Sequence, residues 1–143
     1  IIVPTGNYNK EVSKQAQLLG CYFLKHLQQA GVENQGLLMR TSEKNQRYPN
    51  GKLRDYYRII HNSIEQNIPG VIVEHTFVDS KEDVEQFLKD DNKIKKLAQA
   101  DANAIRDYCF GSLKLEDEME QKVTLVRDSK GKENEYFRIN LKK

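Results

Sequence analysis

The sequence predicts an α/β fold, a mixed sheet flanked by helices, and three observations predict it. Val71, Ile72 and Val73 are a run of β-branched residues of the kind that occupies a strand covered on both faces. Residues 9–30 repeat apolar side chains at steps of three and four, the period of a helix with one face on a core. Strand-like and helix-like stretches then follow in the order strand, helix, strand, strand, helix, helix, the pattern of an α/β body.

The first strand is expected at Ile1, Ile2 and Val3, closed by the turn-forming Pro4, Thr5, Gly6 and Asn7. Opening on such a run reads as the middle of a sheet, so the sheet is expected to be incomplete at its N-terminus. The helix over 9–30 has Asn9 to cap its open N–H groups and Gly31 to end it. Val12, Ala16, Leu19, Phe23, Leu27 and Ala30 form its core stripe, with Lys10, Lys14, Lys25 and Gln28 on the solvent side. A second strand is predicted over 37–40, followed by a polar loop with the turn signal Tyr48-Pro49-Asn50-Gly51.

Residues 56–60 read as extended and 62–66 as a short helical turn, while 70–74 is the clearest strand. Ser80 is placed to cap a helix over 81–89, with Glu82 and Asp83 favouring its N-terminus electrostatically. The spacing predicts a further helix over 92–108 with Ile94, Leu97, Ala98, Ala102, Ile105 and Tyr108 on its core face and Asp101 as the polar exception. Residues 1–111 make the main body. Residues 112–143 are expected to be a polar connector around Glu116-Asp117-Glu118 and a C-terminal β-hairpin extension, with strands over 122–127 and 136–141 and a turn over 128–131.

A chain of 143 residues fits one domain. It is long enough to bury roughly two thirds of the surface its unfolded form exposes. Its 23 Lys and Arg against 21 Asp and Glu are interspersed, so the formal charge of +2 argues for no basic stripe and no nucleic-acid partner. No apolar run approaches the ~18 residues of a membrane span. Cys21 and Cys109 are too few for a disulfide framework or a zinc cluster, and both are expected in the core as small hydrophobes.

Three stretches carry a resemblance: GNYNKEVSKQAQLLG at 6–20, YPNGKLRDYYRIIHNSI at 48–64 and IPGVIVEHTFVDSKED at 68–83. With KIKKLAQADANAIRDY at 93–108, they resemble, in order, the C-terminal two thirds of zinc-dependent N-acetylmuramoyl-L-alanine amidases of the amidase-3 type, closest to clostridial members. The resemblance covers residues 1 to 111 and leaves out 112–143. It implies an α/β sandwich with zinc at the C-terminal edge of the strands. The implied reaction is cleavage of the amide between N-acetylmuramic acid and the L-alanine of the stem peptide. The family's zinc ligands, two His and a Glu, match no position here, so this chain is expected to hold no complete zinc site and to be inactive alone. Zinc is expected for the intact domain.

The family's catalytic Glu matches Glu74, which in this reading takes a proton from the attacking water and returns it to the leaving amine. His61 stands where clostridial members have Arg; it and Asn62 are the substrate-binding candidates, with a structural role for His61 and a turn or cap role for Asn62 as the alternatives. His75 is adjacent to Glu74 on a strand, so it points to the opposite face and is read as a packing or hydrogen-bonding residue. Asp101 is read as a hydrogen-bonding residue and His26 as solvated. Implied with the activity are peptidoglycan as partner and an extracellular or cell-wall location, while an incomplete sheet would leave a strand edge open to pairing with a second copy. The alternative is a non-catalytic wall-binding or structural module on the same framework. A nucleotide-binding α/β domain is not supported, because no Gly-x-Gly-x-x-Gly or P-loop occurs.

Overall fold

Residues 1–3 run through the middle of the molecule. In the computed structural model, which describes residues 1–111 and the strands at 124–127 and 133–139, this run is hydrogen-bonded on both edges. On one edge it lies parallel to β1 (Leu37–Arg40): the Leu38 N–H donates to the Ile1 carbonyl at 2.8 Å and the Val3 N–H to the Leu38 carbonyl at 2.9 Å. On the other edge Ile2 and Ile72 exchange both backbone bonds in antiparallel sense, at 2.9 and 3.0 Å.

The helices are α1 (Lys10–Gln29), α2 (Arg58–Glu65), α3 (Lys81–Asp83, continued by a π-helical turn, Val84–Leu88) and α4 (Asp91–Phe110). Each long helix has a side-chain cap: Asn9 Oδ1 accepts from the Val12 N–H at 3.1 Å, and Asp90 accepts from the N–H groups of Asn92 and Lys93. Gly31, at φ +97°, turns the chain out of α1 in a conformation that other residues resist. The core lies between α1, α4 and one face of the central run. Phe23, Leu24 and Leu27 of α1 meet Leu97, Ala100 and Ala104 of α4, and Ile1, Val3, Leu37 and Met39 close the layer. Val71 and Val73 pack against the same cluster. Ile2 turns to the other face by alternation. It is buried outside that cluster, as are Ile60 and Ile64 of α2.

The expected mixed sheet flanked by helices is not formed. Within residues 1–111 helix makes up 50% and strand 9%, with one strand and no sheet of their own. The physical reason is length: Pro4 and Pro69 lack N–H groups and bracket the runs, so residues 1–3 and 70–74 meet through single bridges rather than ladders. The sheet present is antiparallel and three-stranded, in the order β1, β3, β2, with β2 at Thr124–Arg127 and β3 at Glu133–Ile139. β1 pairs with β3 from Leu37 opposite Ile139 to Arg40 opposite Tyr136. β2 pairs with β3 from Thr124 opposite Arg138, with an irregularity between Val126 and Arg127. The expected connector at 116–118 and turn at 128–131 lie outside the described residues.

Three local expectations are corrected. Residues 58–60, expected extended, open α2. Ile94 and Ile105, expected on the core face of α4, are 47% and 51% exposed, because the small residues Ala100 and Ala104 turn inward and let α1 approach. Cys109 is exposed, whereas Cys21 is buried as expected.

Segment 70–75 is set close against α2 at Gly70, where an added Cβ would come within 2.6 Å of Ser63 Cβ. Gly70→Ala is expected to lower stability to urea by the ~1–3 kcal/mol of forced overpacking. Adding Ser63→Gly should recover part of that loss. An unchanged urea midpoint in the single variant would show that the segment is not held against α2.

Candidate functional site

The alternation that puts Val71 and Val73 on the core also sorts the two residues that follow. His75 shares the face of Val71 and Val73 and reaches α4, where its Nε2 lies 2.8 and 3.0 Å from the two carboxylate oxygens of Asp101. A carboxylate only accepts, so Nε2 carries the hydrogen. Glu74 turns the other way. It is exposed, and among the described residues no hydrogen bond or ion pair engages its carboxylate.

Glu74 and His75 both line a cleft of about 530 Å³ at this end of the central run. Ile1, Leu24 and Phe87 contribute apolar wall, and Glu33, Glu82 and Asp83 join Glu74 as acidic groups. Two side chains order the cleft wall after Thr76: Asp83 accepts from the Phe77 N–H at 2.8 Å, and Ser80 Oγ accepts from the Asp83 N–H at 3.2 Å. The cleft therefore offers a carboxylate with no partner among the described residues, one peptide bond from an imidazole held by a carboxylate. A carboxylate so placed can take up and return a proton.

His61 and Asn62 are not brought to this cleft. Both sit on α2, which contributes no residue to its lining. His61 is 8% exposed and donates from Nδ1 to the Asp55 carbonyl at 2.9 Å, inside a polar knot that joins residues distant in sequence. Asp55 accepts from the Thr5 N–H at 2.9 Å and from the Tyr48 hydroxyl at 2.6 Å, and Tyr48 stacks on Tyr8 with ring centroids 4.9 Å apart. Burial raises the Asp55 carboxyl above its ordinary range, against the pull of the Tyr48 and Thr5 hydrogen bonds. Burial and the Asp55 hydrogen bond push the Tyr48 hydroxyl far up. Asn62 is half-buried on the same helix.

His26, expected to be solvated, instead lies 2.9 Å from Asp107 through Nε2 and ties α1 to α4. The Arg106 guanidinium, and then His26, hold the Asp107 carboxyl below its usual range. Sequence reasoning singled out His75 and Asp101 separately and missed that they meet. The signal was an Asp on an otherwise apolar helix face and a His on the core face of a strand end, two polar groups each needing a partner. The knot of Tyr48, Asp55 and His61 left no comparable trace.

The three imidazoles are thus engaged in three different places. Among the described residues no three His, Cys, Asp or Glu side chains are grouped to hold a metal ion. The described residues do not fit the zinc that the resemblance implies. Also among the described residues, no helix is long and apolar enough to cross a membrane. No protein-family model, no curated protein and no solved structure matches the chain.

The Asp55 knot carries a pH signature. Because burial raises the Asp55 pKa in the folded chain, the native state holds the extra proton between the unfolded value of about 3.9 and the raised folded value. The stability that Asp55 contributes is then fully present below that window and falls as pH rises through it. Asp55→Asn, neutral throughout, removes this slope. The stability difference between wild type and Asp55→Asn, from urea midpoints taken upward from about pH 4, is expected to shift against wild type as pH rises. A constant difference would show that Asp55 is not buried as a carboxylate.

Proposed function

We propose that this chain is the part of a cell-wall amidase that carries its proton-transferring carboxylate, Glu74. The reaction is hydrolysis of the amide between N-acetylmuramic acid and the L-alanine of the stem peptide. The observation that supports it is the state of Glu74: a carboxylate with no partner among the described residues, on the wall of a cleft, at the end of a run anchored by the paired bonds of Ile2 and Ile72. The four sequence stretches that resemble amidase-3 enzymes supply the substrate class.

In this reading Glu74 accepts a proton from the water that attacks the amide carbonyl and gives it to the departing alanine nitrogen. The nitrogen leaves as a neutral amine and the lactyl group as a carboxylic acid that then gives its remaining proton to solvent, so the peptide is released with a free N-terminal alanine. Zinc belongs to the reading as a group held by side chains other than those described. Peptidoglycan is then the partner and the cell wall the place of action. Pairing of an exposed strand edge with a second copy is part of the same proposal, and a monomer in light scattering would remove it.

The test is Glu74→Gln in the intact, zinc-loaded protein, assayed by release of N-terminal alanine from purified cell walls. Loss of general acid–base catalysis is expected to cost about 10²–10⁴-fold in rate. Thermal stability should barely change, because an exposed, unpartnered side chain contributes within about 0.5 kcal/mol. A folded, metal-loaded wild type that releases no alanine would leave the non-catalytic wall-binding module as the reading.

A further inference from the structure

The segment that carries Glu74 is tied down unevenly. At Ile72 both backbone groups are bonded to Ile2, and at Phe77 the N–H is bonded to Asp83. Between these points, among the described residues, no backbone N–H or carbonyl of residues 73–76 finds a partner. The single polar tie over that stretch is the contact of His75 with Asp101, which spans 26 positions of sequence to the middle of α4. Val73 adds an apolar contact with the core cluster on the same side.

We propose that His75 and Asp101 are a positioning pair for Glu74, an inference that rests on the amidase reading for its catalytic meaning. Holding residue 75 on the α4 side sets the rotation of the extended chain there. Alternation then turns residue 74 to the side away from α4, at the wall of the cleft that both residues line. Without the tie, the stretch between Ile72 and Phe77 has no polar contact to fix its twist, and Glu74 samples orientations away from the reacting amide. The pair therefore acts on Glu74 through one shared peptide bond. α4 suits the task because it is capped by Asp90 and packed on α1 along its length, so Asp101 projects from a rigid base.

The arrangement separates two kinds of substitution. Asp101→Asn keeps an acceptor oxygen in the same place for the Nε2–H, whereas Asp101→Ala and His75→Ala each remove the tie. The first measurement needs no activity: backbone ¹⁵N order parameters of the full chain. In wild type and Asp101→Asn, residues 74–76 are expected to be as rigid as α4, near ~0.85, and in both alanine variants to fall below ~0.6 while α4 and Ile72 stay rigid. Residues 74–76 that remain rigid in the alanine variants overturn the proposal. So does loosening that spreads through α4, or failure of both alanine variants to fold, since the pair would then hold the fold and not the segment.

The second measurement is kinetic, on the intact zinc-loaded protein with muropeptide substrate. Misplacement of Glu74 on the order of an ångström predicts a loss of about 10²-fold in kcat in the alanine variants, with KM little changed and most of the rate restored in Asp101→Asn. A loss confined to KM would overturn positioning. If wild type itself cleaves no muramoyl–alanine amide, the amidase reading fails, and the order parameters alone still decide whether the pair holds residue 74.

Discussion

Three residues with hydrogen bonds on both edges set the geometry of everything around the cleft. Buried backbone N–H and carbonyl groups need partners. Residues 1–3 offer few of them before Pro4, which has no N–H to donate. Leu38 takes one edge and Ile72 the other, so the alternation of Ile1, Ile2 and Val3 is copied into both neighbours. That register decides which side chains meet α1 and α4 and which turn away. Gly20 lets α1 come down onto this run: an added Cβ would lie 2.8 Å from Leu37 Cδ2 and 3.0 Å from Val3 Cγ1. A close approach between helix and extended chain is thus made where a side chain is missing.

What was legible in the sequence follows from how local each signal is. α1 was readable because its cap, its stripe and its stop all fall within the helix or beside it. β1 matches the expected 37–40, a short apolar run between turn signals. α4 was readable in its extent but not in its rotation. Its stripe of large apolar residues suggested the inward face, while packing against α1 selected the side where Ala100 and Ala104 allow close approach. The stretch 56–60 defeated periodicity because a short apolar run fits strand and helix alike. The run at 71–73 has strand composition, yet composition cannot say how many partners it finds, and here only Ile72 is paired.

The polar contacts were the least legible, for a related reason. Asp55 with Thr5, His26 with Asp107 and His75 with Asp101 join positions 50, 81 and 26 apart. No cap, turn or heptad rule operates at such separations. A polar residue on an apolar face signals only that a partner exists. All three imidazoles find an acceptor, which leaves each ring with one nitrogen committed as a donor. That commitment makes each of them a brace between elements: α1 to α4, the loop around Asp55 to α2, and the segment of Glu74 to α4.

The charged pair that follows the β-branched run is thereby resolved into two unlike residues. His75 lies on the inner side and is satisfied by Asp101. Glu74 lies on the outer side, where hydration makes an unpaired carboxylate inexpensive to keep. No contact among the described residues requires a carboxylate at position 74, and replacing it leaves no buried group without a partner. An acid used to stabilise a fold is normally tied to a cation or to N–H donors, and such ties hold the proton-accepting oxygens out of reach. A glutamate that carries no structural duty, on a wall that its neighbours hold in place, keeps both oxygens available. Freedom of the carboxylate with restraint of its backbone is the combination that proton transfer to a bound substrate demands.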